Sequence, residues 1–335
     1  MTRAYRMKAI IFFGLLVSGL LSGCTSRGAR QEALSANSQA QNEVVSSPTA
    51  QVSSANSEAL LNQIKEIASE AKGKVAVAAI VLEGGQDARA PSLVSLNAQE
   101  RFRMQSVYKL PISMAVMQAV DAGKIKLSDK ITISKDDLLG RVAQSPMRLR
   151  HPNGATLTVE ELLRFAISES DGAASDALMK LAGGPAAVQA YLTELSIKDM
   201  IVLDTEVTLT QDTTARYRNW ATPEASVALL RALHERRGLS ESSQGLLLKF
   251  MTESKPGQKR LKGLLPAGTP VAHKTGTSGT DKGVTAATND IGIITLPDGK
   301  HLAIAVFVAD SPADEATREG VIAKIASAVF QAASK

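Results

Sequence analysis

The sequence contains a single cysteine, Cys24, so it offers no pair of cysteines for an internal disulfide bond. Its four histidines are scattered, and none shows the His-x-x-x-His spacing of a metal site. There is no glycine-rich phosphate loop and no basic tract interleaved with aromatic residues. These absences argue against a disulfide scaffold, a metalloenzyme and a nucleic-acid-binding protein. We therefore expect no metal, no cofactor and no nucleic-acid partner.

The N-terminal segment Met1–Cys24 has the pattern of an export signal. Three basic residues precede the apolar run Ala9–Leu21, which is too short to form a stable membrane span. Leu21-Ser22-Gly23-Cys24 resembles a lipoprotein processing box, in which Cys24 becomes the lipidated N-terminus. The alternative is an ordinary signal peptide with an incidental cysteine. Because this segment holds three of the positive charges and no negative one, the formal charge of +5 falls to +2 for the rest of the chain.

Residues 25–56 are rich in Ser, Ala, Gln and Asn and lack aromatic residues. Such a segment buries too little apolar surface to offset the entropy lost on ordering, so it predicts a flexible linker. Thr25, rather than an aspartate, follows the cysteine, which favours the outer membrane. We expect an exported protein on the periplasmic side, attached to the membrane only through a lipid on Cys24, or soluble in the periplasm without that lipid.

Residues 57–335 show strand patterns near both ends and helical patterns in the middle. Strands are predicted at 75–82, 93–96, 271–277, 290–296 and 301–308, and helices at 57–73, 106–122, 158–168, 173–182, 185–195, 222–236, 240–252 and 314–330. The simplest packing is an α/β (α+β) fold, with an antiparallel sheet from residues 57–102 and 253–335, terminal helices on it, and an inserted helical lobe, 103–252. The cleft between the two parts is the expected position of a site.

Ser106 and Lys109 stand three residues apart at the start of a predicted helix, so the hydroxyl and the amine share one face. A desolvated lysine can take the proton of a serine and make it a nucleophile. In the first turn, Ser106 would also lie where free backbone N–H groups favour a developing negative charge. Alone the pair is weak evidence, because Ser69 and Lys72 have the same spacing in an ordinary surface helix.

Three further stretches carry suitable chemistry, and each also has an ordinary interpretation. Ser170-Asp171-Gly172 lies between two predicted helices, where it aims a hydroxyl at the cleft or merely caps a helix. Lys274-Thr275-Gly276-Thr277 lies on a predicted strand, where Gly276 leaves room for a ligand backbone or is simply a strand glycine. Glu206 lies in the irregular stretch 204–221 and is otherwise a solvated loop carboxylate.

The order Ser-x-x-Lys, Ser-Asp-x, loop glutamate, Lys-Thr-Gly is that of the penicillin-interacting serine enzymes. Over residues 57–335 the chain resembles a class A serine β-lactamase, and within that family the extended-spectrum cephalosporinases with an atypical omega loop. The resemblance is strongest at residues 105–112, 222–223, 260–268, 273–279 and 287–298. It implies a hydrolase that confers β-lactam resistance and takes a small-molecule β-lactam as substrate. We expect it to be a monomer.

The resemblance implies a role for each catalytic residue. Ser106 attacks the lactam carbonyl and becomes acylated, while Lys109, or Glu206 through a water, takes its proton. Ser170 relays a proton to the departing lactam nitrogen. Glu206 then activates the water that hydrolyses the acyl-enzyme, and this step separates a β-lactamase from a penicillin-inhibited peptidase.

The resemblance also implies which residues bind the substrate. Backbone N–H groups of Ser106 and Thr277 form the oxyanion hole. Lys274, Thr275 and Thr277 hold the substrate carboxylate, with Arg260 as an additional cation. The full expected set is Lys274, Thr275, Gly276, Thr277, Ser278, Arg260, Gly172 and Thr210.

Several residues depart from the family pattern. Gly172 replaces the usual asparagine, which removes about one hydrogen bond, ~1 kcal/mol, from substrate placement. Thr210 stands where an asparagine usually helps to hold the hydrolytic water. Asp204 and Asn219 occupy the loop ends that an Arg–Asp ion pair usually joins, so we expect this loop to be held differently. Gln144 replaces the usual aromatic residue at the cleft mouth.

Two alternatives stay open at the level of the sequence. A DD-peptidase or another penicillin-binding protein of the same fold would remain acylated by a β-lactam. A non-catalytic lipoprotein that senses β-lactams or peptidoglycan would keep the pocket without the chemistry, and Gly172 is the feature that favours it.

Overall fold

An antiparallel sheet drawn from both ends of the chain organises the structure. The computed structural model describes residues 48–82, 93–139, 145–211 and 217–335, without the side chains of 48–55, 139, 210 and 211. The strands are β1 (Lys74–Leu82), β2 (Val94–Leu96), β3 (Phe102–Arg103), β4 (Lys130–Ser134), β5 (Gly154–Thr158), β6 (Met200–Ile201), β7 (Trp220–Ala221), β8 (Val271–Thr277), β9 (Thr280–Asp281), β10 (Val284–Thr295) and β11 (His301–Ser311). The main sheet has the order β2-β1-β11-β10-β8, with β9 paired to β10, so β8 forms one edge.

Nine of the eleven helices in the described residues lie in the sequence between β2 and β8 of the main sheet, and the first and the last lie near the two ends. The helices are α1 (Pro48–Ser69), α2 (Lys109–Asp121), α3 (Lys135–Leu139), α4 (Pro146–Arg150), α5 (Val159–Ser168), α6 (Gly172–Leu181), α7 (Pro185–Glu194), α8 (Glu206–Gln211), α9 (Pro223–His234), α10 (Glu241–Thr252) and α11 (Glu315–Ala333). A 3₁₀ turn, Gln105–Tyr108, leads directly into α2. Ser47–Lys335 forms one compact unit.

Both faces of the sheet are buried, which explains why β1 and β11 are apolar at most positions. In β11, Ala303, Ala305 and Phe307 pack with the helical part, whereas Leu302, Ile304, Val306 and Val308 pack with α1 and α11. Successive side chains of a strand point to opposite faces, so a two-sided core needs a continuous apolar run. The predicted fold class, a sheet flanked by terminal helices with an inserted helical part, is confirmed.

Two of the boundaries that the structure corrects are the starts of helices. Helix α1 begins at Pro48 rather than Ser57, so it includes residues 48–56, which the sequence analysis assigned to the linker 25–56. Residues 48–56 include two alanines and one glutamine, which favour a helix, and Pro48 is tolerated because it stands in the first turn. The predicted helix 106–122 starts as a 3₁₀ turn and becomes α-helical only at Lys109.

The remaining N-terminal predictions lie outside the described residues. These include the export signal, Cys24 and residues 25–47 of the linker. Within the residues that the structure does describe, none of the helices has the length and apolar character needed to cross a membrane.

Candidate active site

Ser106 lies in the 3₁₀ turn before α2, and its side chain is partly exposed. Gln105, the residue before it, has a φ of 47°, a left-handed conformation that costs roughly 1–2 kcal/mol outside glycine. Two hydrogen bonds fix the preceding residue: Met104 N donates to Asn219 O at 3.1 Å, and Asn289 Nδ2 donates to Met104 O at 3.3 Å. The surrounding structure therefore holds the turn that carries Ser106 in a strained conformation.

Strand β8 packs directly on this turn because Gly276 has no side chain. A Cβ atom at Gly276 would lie 2.2 Å from Met104 O and 3.2 Å from Gln105 Cβ. The sequence interpretation gave this space to a ligand backbone, but the structure fills it with the Met104 carbonyl group. Gly276 therefore sets how closely the Lys-Thr-Gly strand approaches the turn that carries Ser106.

Lys109 joins the Ser-x-x-Lys motif to two others. Its Nζ atom donates to Ser170 O at 2.6 Å and lies 3.0 Å from Glu206 Oε1. The side chain of Lys109 is 2% exposed and that of Glu206 17% exposed, so the ion pair is largely desolvated. Since Lys109 follows Ser106 by three residues, this pair brings the loop glutamate to the segment that carries the serine.

Lys274 connects strand β8 to Ser170. Its Nζ atom donates to Ser170 Oγ at 2.8 Å and to Thr275 O at 3.1 Å. Burial, and then the positive charge of Lys109, hold the pKa of Lys274 well below its ordinary value. Ser170 itself has a φ of 58°, so its hydroxyl is presented by a second strained residue. All four motifs singled out in the sequence thus meet in one place.

Glu206 is the first residue of α8. Burial raises the pKa of its carboxyl group, but the charge and hydrogen bond of Lys109, the Tyr108 hydroxyl and the charge of Lys274 outweigh burial. The pKa of Glu206 therefore lies below its ordinary value, and the group is ionised at neutral pH. An ionised carboxylate in this position is able to accept a proton from water.

Asp176, which no sequence pattern indicated, holds Glu206 in place. The Asp176 carboxylate accepts hydrogen bonds from Glu206 N at 2.7 Å and Val207 N at 3.0 Å. Burial raises the pKa of Asp176 to about 6, against the two hydrogen bonds and Lys109, which lower it. The sequence does show that Asp176 is a carboxylate on the predicted helix that follows Ser170. Its spacing from Ser170 alone does not show which groups it contacts.

Tyr108 was not predicted as a site residue either, although it stands inside the Ser-x-x-Lys motif. Its side chain is completely buried, and its hydroxyl lies beside Glu206 and Ser175 without a partner at full hydrogen-bonding geometry. Burial and the charge of Glu206 raise the pKa of Tyr108 well above its ordinary value. The phenol therefore stays neutral and supports the ionised form of the neighbouring glutamate.

The loop that carries Glu206 is closed by an Arg–Asp ion pair after all. Arg218 donates to Asp204 through Nε at 2.9 Å and through Nη2 at 2.7 Å. Asn219 adds a second connection: its Oδ1 accepts from Leu203 N and Asp204 N, and its Nδ2 donates to Asp204 O at 2.9 Å. The expectation of a loop without such a pair was wrong because the residue before Asn219 supplies the cation.

Asp171 caps a helix, which was the alternative interpretation of the Ser170-Asp171-Gly172 stretch. It caps α6 through Ala174 N at 2.9 Å and accepts from Ser145 Oγ at 2.9 Å and Met147 N at 2.8 Å. It thus ties α4 to α6, and leaves Ser170 as the member of the motif that contacts the other site residues. Gly172 is the buried first residue of α6 and contributes no side chain to the site.

Arg260 is buried rather than presented as a free cation. It is 3% exposed, and its Nε atom pairs with Glu319 Oε1 at 3.0 Å. Its Nη2 atom donates to Thr277 Oγ1 at 2.8 Å. Thr277 is exposed at the edge of the sheet, so a ligand there would meet the Thr277 hydroxyl rather than the Arg260 guanidinium group.

Neighbouring Ser278 accepts a hydrogen bond from Ala287 N at 2.9 Å through its Oγ atom, which links β8 to β10.

Three predicted positions are not placed. The side chain of Thr210 and the whole of Gln144 and Cys24 lie outside the described residues. Across the described part of the chain, no group of three or more His, Cys, Asp or Glu residues is arranged to hold a metal ion.

Comparison with known proteins agrees with this geometry. Residues 59–333 match the family described as "Beta-lactamase enzyme family". The chain is 41% identical over 278 residues to the extended-spectrum β-lactamase PER-1 of Pseudomonas aeruginosa, covering 83% of this chain and 88% of that protein. It is 42% identical over 235 residues to the β-lactamase VEB-1 of Pseudomonas aeruginosa, covering 70% of this chain and 78% of that protein.

Solved structures give the same result. A β-lactamase from Chitinophaga pinensis superposes with a TM-score of 0.78 at 43% identity, covering 82% of this chain and 99% of that chain. The TLA-1 extended-spectrum β-lactamase superposes with a TM-score of 0.79 at 38% identity, covering 84% of this chain and 100% of that chain.

Proposed function

The chain belongs to the β-lactamase enzyme family, as a serine enzyme of the class A extended-spectrum type, and we propose that it works through an acyl-enzyme on Ser106. It is an enzyme that hydrolyses the β-lactam amide bond and thereby confers resistance to β-lactams. The roles of individual residues, the preferred substrate and the membrane anchor make up the proposal.

In the acylation step, Ser106 Oγ attacks the carbonyl carbon of the lactam. Lys109 and Glu206, which contact each other at 3.0 Å, provide the base for the serine proton, directly or through a water. The carbonyl oxygen becomes negatively charged and is stabilised by the backbone N–H groups of Ser106 and Thr277. The C–N bond then breaks, and the lactam nitrogen requires a proton.

Ser170 relays to the nitrogen the proton that Lys109 and Glu206 took from Ser106, so the Ser170 hydroxyl is restored. Because Ser170 Oγ accepts a hydrogen bond from Lys274 Nζ at 2.8 Å, its own O–H is free to point towards the leaving nitrogen. Lys274, Thr275 and Thr277 hold the substrate carboxylate, and Arg260 orients the Thr277 hydroxyl at 2.8 Å. Gly276, Ser278, Gly172 and Thr210 complete the proposed substrate-binding set.

Deacylation depends on Glu206, and its position is the observation that carries the proposal. The carboxylate is ionised, desolvated and 3.0 Å from the lysine of the acylated segment. From there it takes a proton from a water that attacks the ester carbonyl, and Ser106 regains its hydroxyl when the ester breaks. A penicillin-binding protein without such a base would stay acylated.

We further propose that the enzyme favours cephalosporins and is exported and anchored through a lipid on Cys24. The substrate preference is supported by similarity to enzymes named extended-spectrum. The anchor is supported by the processing-box pattern at residues 21–24 and by the lack of a second cysteine. Labelling with a radioactive fatty acid tests the anchor, since Cys24→Ser should abolish the label and a persistent label contradicts the assignment.

A steady-state comparison of a penicillin, a cephalosporin and a carbapenem tests the catalytic proposal. We expect rapid turnover of nitrocefin and the highest kcat/KM for the cephalosporin. Stoichiometric binding of a penicillin without turnover would instead indicate a DD-peptidase or another penicillin-binding protein. Absence of both binding and turnover would indicate a non-catalytic lipoprotein.

A further inference from the structure

A second pocket, of about 330 Å³, lies where β3 and β7 meet the ends of β1 and β11. Its lining includes Lys74, Arg101, Arg103, Tyr217, Trp220 and Asp310. None of these residues belongs to the proposed catalytic or substrate-binding set. The volume is at the lower end of the range for small-molecule sites. The pocket is therefore large enough for a small organic molecule.

The charges that line this pocket are unbalanced. Three cations, Lys74, Arg101 and Arg103, stand against one carboxylate, Asp310. The nearest Arg103–Asp310 approach is 3.9 Å, and the Asp310 side chain is 60% exposed, so this pair neutralises Arg103 only weakly. Lys74 pairs with Glu100 at 3.2 Å, but both of these side chains are largely exposed to solvent. A net positive charge therefore remains in the lining.

The two arginines are held in place by aromatic rings. The guanidinium carbon of Arg101 lies 4.1 Å from the centre of the Trp220 ring, and that of Arg103 lies 3.6 Å from the centre of the Tyr217 ring. Stacking occupies the faces of the guanidinium groups and leaves their N–H edges to donate hydrogen bonds. Donors fixed in this way lose little conformational freedom when an anion binds.

We propose that this pocket binds the phosphate group of a small phosphate monoester. Such a group carries a charge close to −2 at neutral pH and has three acceptor oxygens. The lining has three cationic donors and one carboxylate, so its net charge matches the double charge of a phosphate better than the single charge of a carboxylate ligand. Arginine forks also suit phosphate oxygens, because each fork can donate two parallel hydrogen bonds.

The position of the pocket connects a bound phosphate to the loop that carries Glu206. Arg103 pairs with Trp220 between β3 and β7, and Tyr217 directly precedes Arg218, which binds Asp204. Arg103 also directly precedes Met104, whose carbonyl packs on Gly276. A phosphate on Arg101 and Arg103 thus stabilises the corner where the loop and the Ser106 turn meet, and raises the melting temperature.

Trp220 makes the binding measurable, because it is the only tryptophan in the chain. Glycerol 3-phosphate and inorganic phosphate are titrated at constant ionic strength while tryptophan emission is recorded. We expect a saturable change, and a Kd about tenfold higher for Arg101→Gln and for Arg103→Gln. Lys124→Gln removes an exposed cation on the helical part and should leave the Kd unchanged. Circular dichroism establishes that each variant is folded.

Two further arms distinguish this pocket from the active site and from a lipid-binding surface. Initial rates of nitrocefin hydrolysis at the same phosphate concentrations should show no competitive inhibition, since competition would place the anion at the active site. Vesicles of an anionic phospholipid replace the soluble phosphate in the second arm. A response to vesicles alone, an equal loss of affinity in Lys124→Gln, or no saturable change would each overturn the proposal.

Discussion

The carboxylate of Asp176 accepts the backbone N–H of Glu206 at 2.7 Å, so one acid of the site positions the backbone of the other. A second bond, from Val207 N at 3.0 Å, makes Asp176 the acceptor for the free N-terminus of α8. The arrangement brings two carboxyl groups close together in a poorly solvated place. Ionisation of Asp176 is unfavourable there, and burial raises the pKa of its carboxyl group to about 6.

Asp176 makes stability depend on pH in a defined window. Its pKa is about 6 in the folded protein against 3.8 ordinarily, so the folded state binds more protons than the unfolded state between those values. The free energy of unfolding therefore falls as pH rises through this window, and Asp176→Asn removes that contribution. We expect the difference between wild type and variant to change by roughly 2–3 kcal/mol between about pH 4 and pH 6.5.

Urea unfolding of both proteins at a series of pH values measures this difference. Groups distant from Asp176 titrate equally in the two proteins and cancel, so the difference reports Asp176 together with Glu206, whose charge acts on it. A difference that is constant across the window would contradict the raised pKa.

We expect Asn219 to be a principal structural support of the loop that carries Glu206. Asn219→Ala removes two hydrogen bonds accepted from Leu203 N and Asp204 N and one donated to Asp204 O, all at a side chain that is 1% exposed. We expect a loss of about 2–4 kcal/mol in the free energy of unfolding, because buried backbone groups lose their partners. Deacylation should also slow, since Glu206 follows the released segment.

Urea unfolding and single-turnover kinetics measure the two effects of Asn219→Ala. Asn62→Ala serves as control, because Asn62 is exposed on α1 and should change stability by less than about 0.5 kcal/mol. Equal stability of the two variants would show that the loop is held by other contacts.

Gly276 offers a test of the packing between β8 and the Ser106 turn. In Gly276→Ala the new methyl group would lie 2.2 Å from Met104 O, so the turn or the strand must move. We expect kcat/KM to fall about 100-fold, because a small misplacement of the nucleophile is enough to lose the attack geometry. Gly279→Ala is the matched control, since no atom lies within 4 Å of the position that its new methyl group would take. Similar kcat/KM values for the two variants would contradict this role of Gly276.

Local pattern predicted most of the main sheet, whereas the four motifs were recognised as a set only through the resemblance to a known family. The continuous apolar runs of β1 and β11 follow from their burial on both faces, so the sequence carries that information directly. Ser106 and Lys109 stand close together in the sequence, and their spacing alone places them on one helical face.

Contacts between distant segments were not predictable in the same way. The bond from Glu206 N to Asp176 spans 30 residues, and the contact of Gly276 with Met104 joins the first third of the sequence to the last third. Arg218 was overlooked because its partner choice depends on a loop conformation and not on a repeat. The strands β3, β6 and β7 have two residues each, which is too short for any periodicity to show.

The most direct test of the whole account is the lifetime of the acyl-enzyme, followed by intact-protein mass spectrometry after mixing with benzylpenicillin. Glu206→Gln keeps the size of the side chain but removes its basicity, and Ser106→Ala removes the nucleophile. We expect a transient adduct on the wild type, none on Ser106→Ala, and an adduct on Glu206→Gln that decays about a thousandfold more slowly. Loss of the adduct from Glu206→Gln at the wild-type rate would contradict the assignment of Glu206 as the deacylating base.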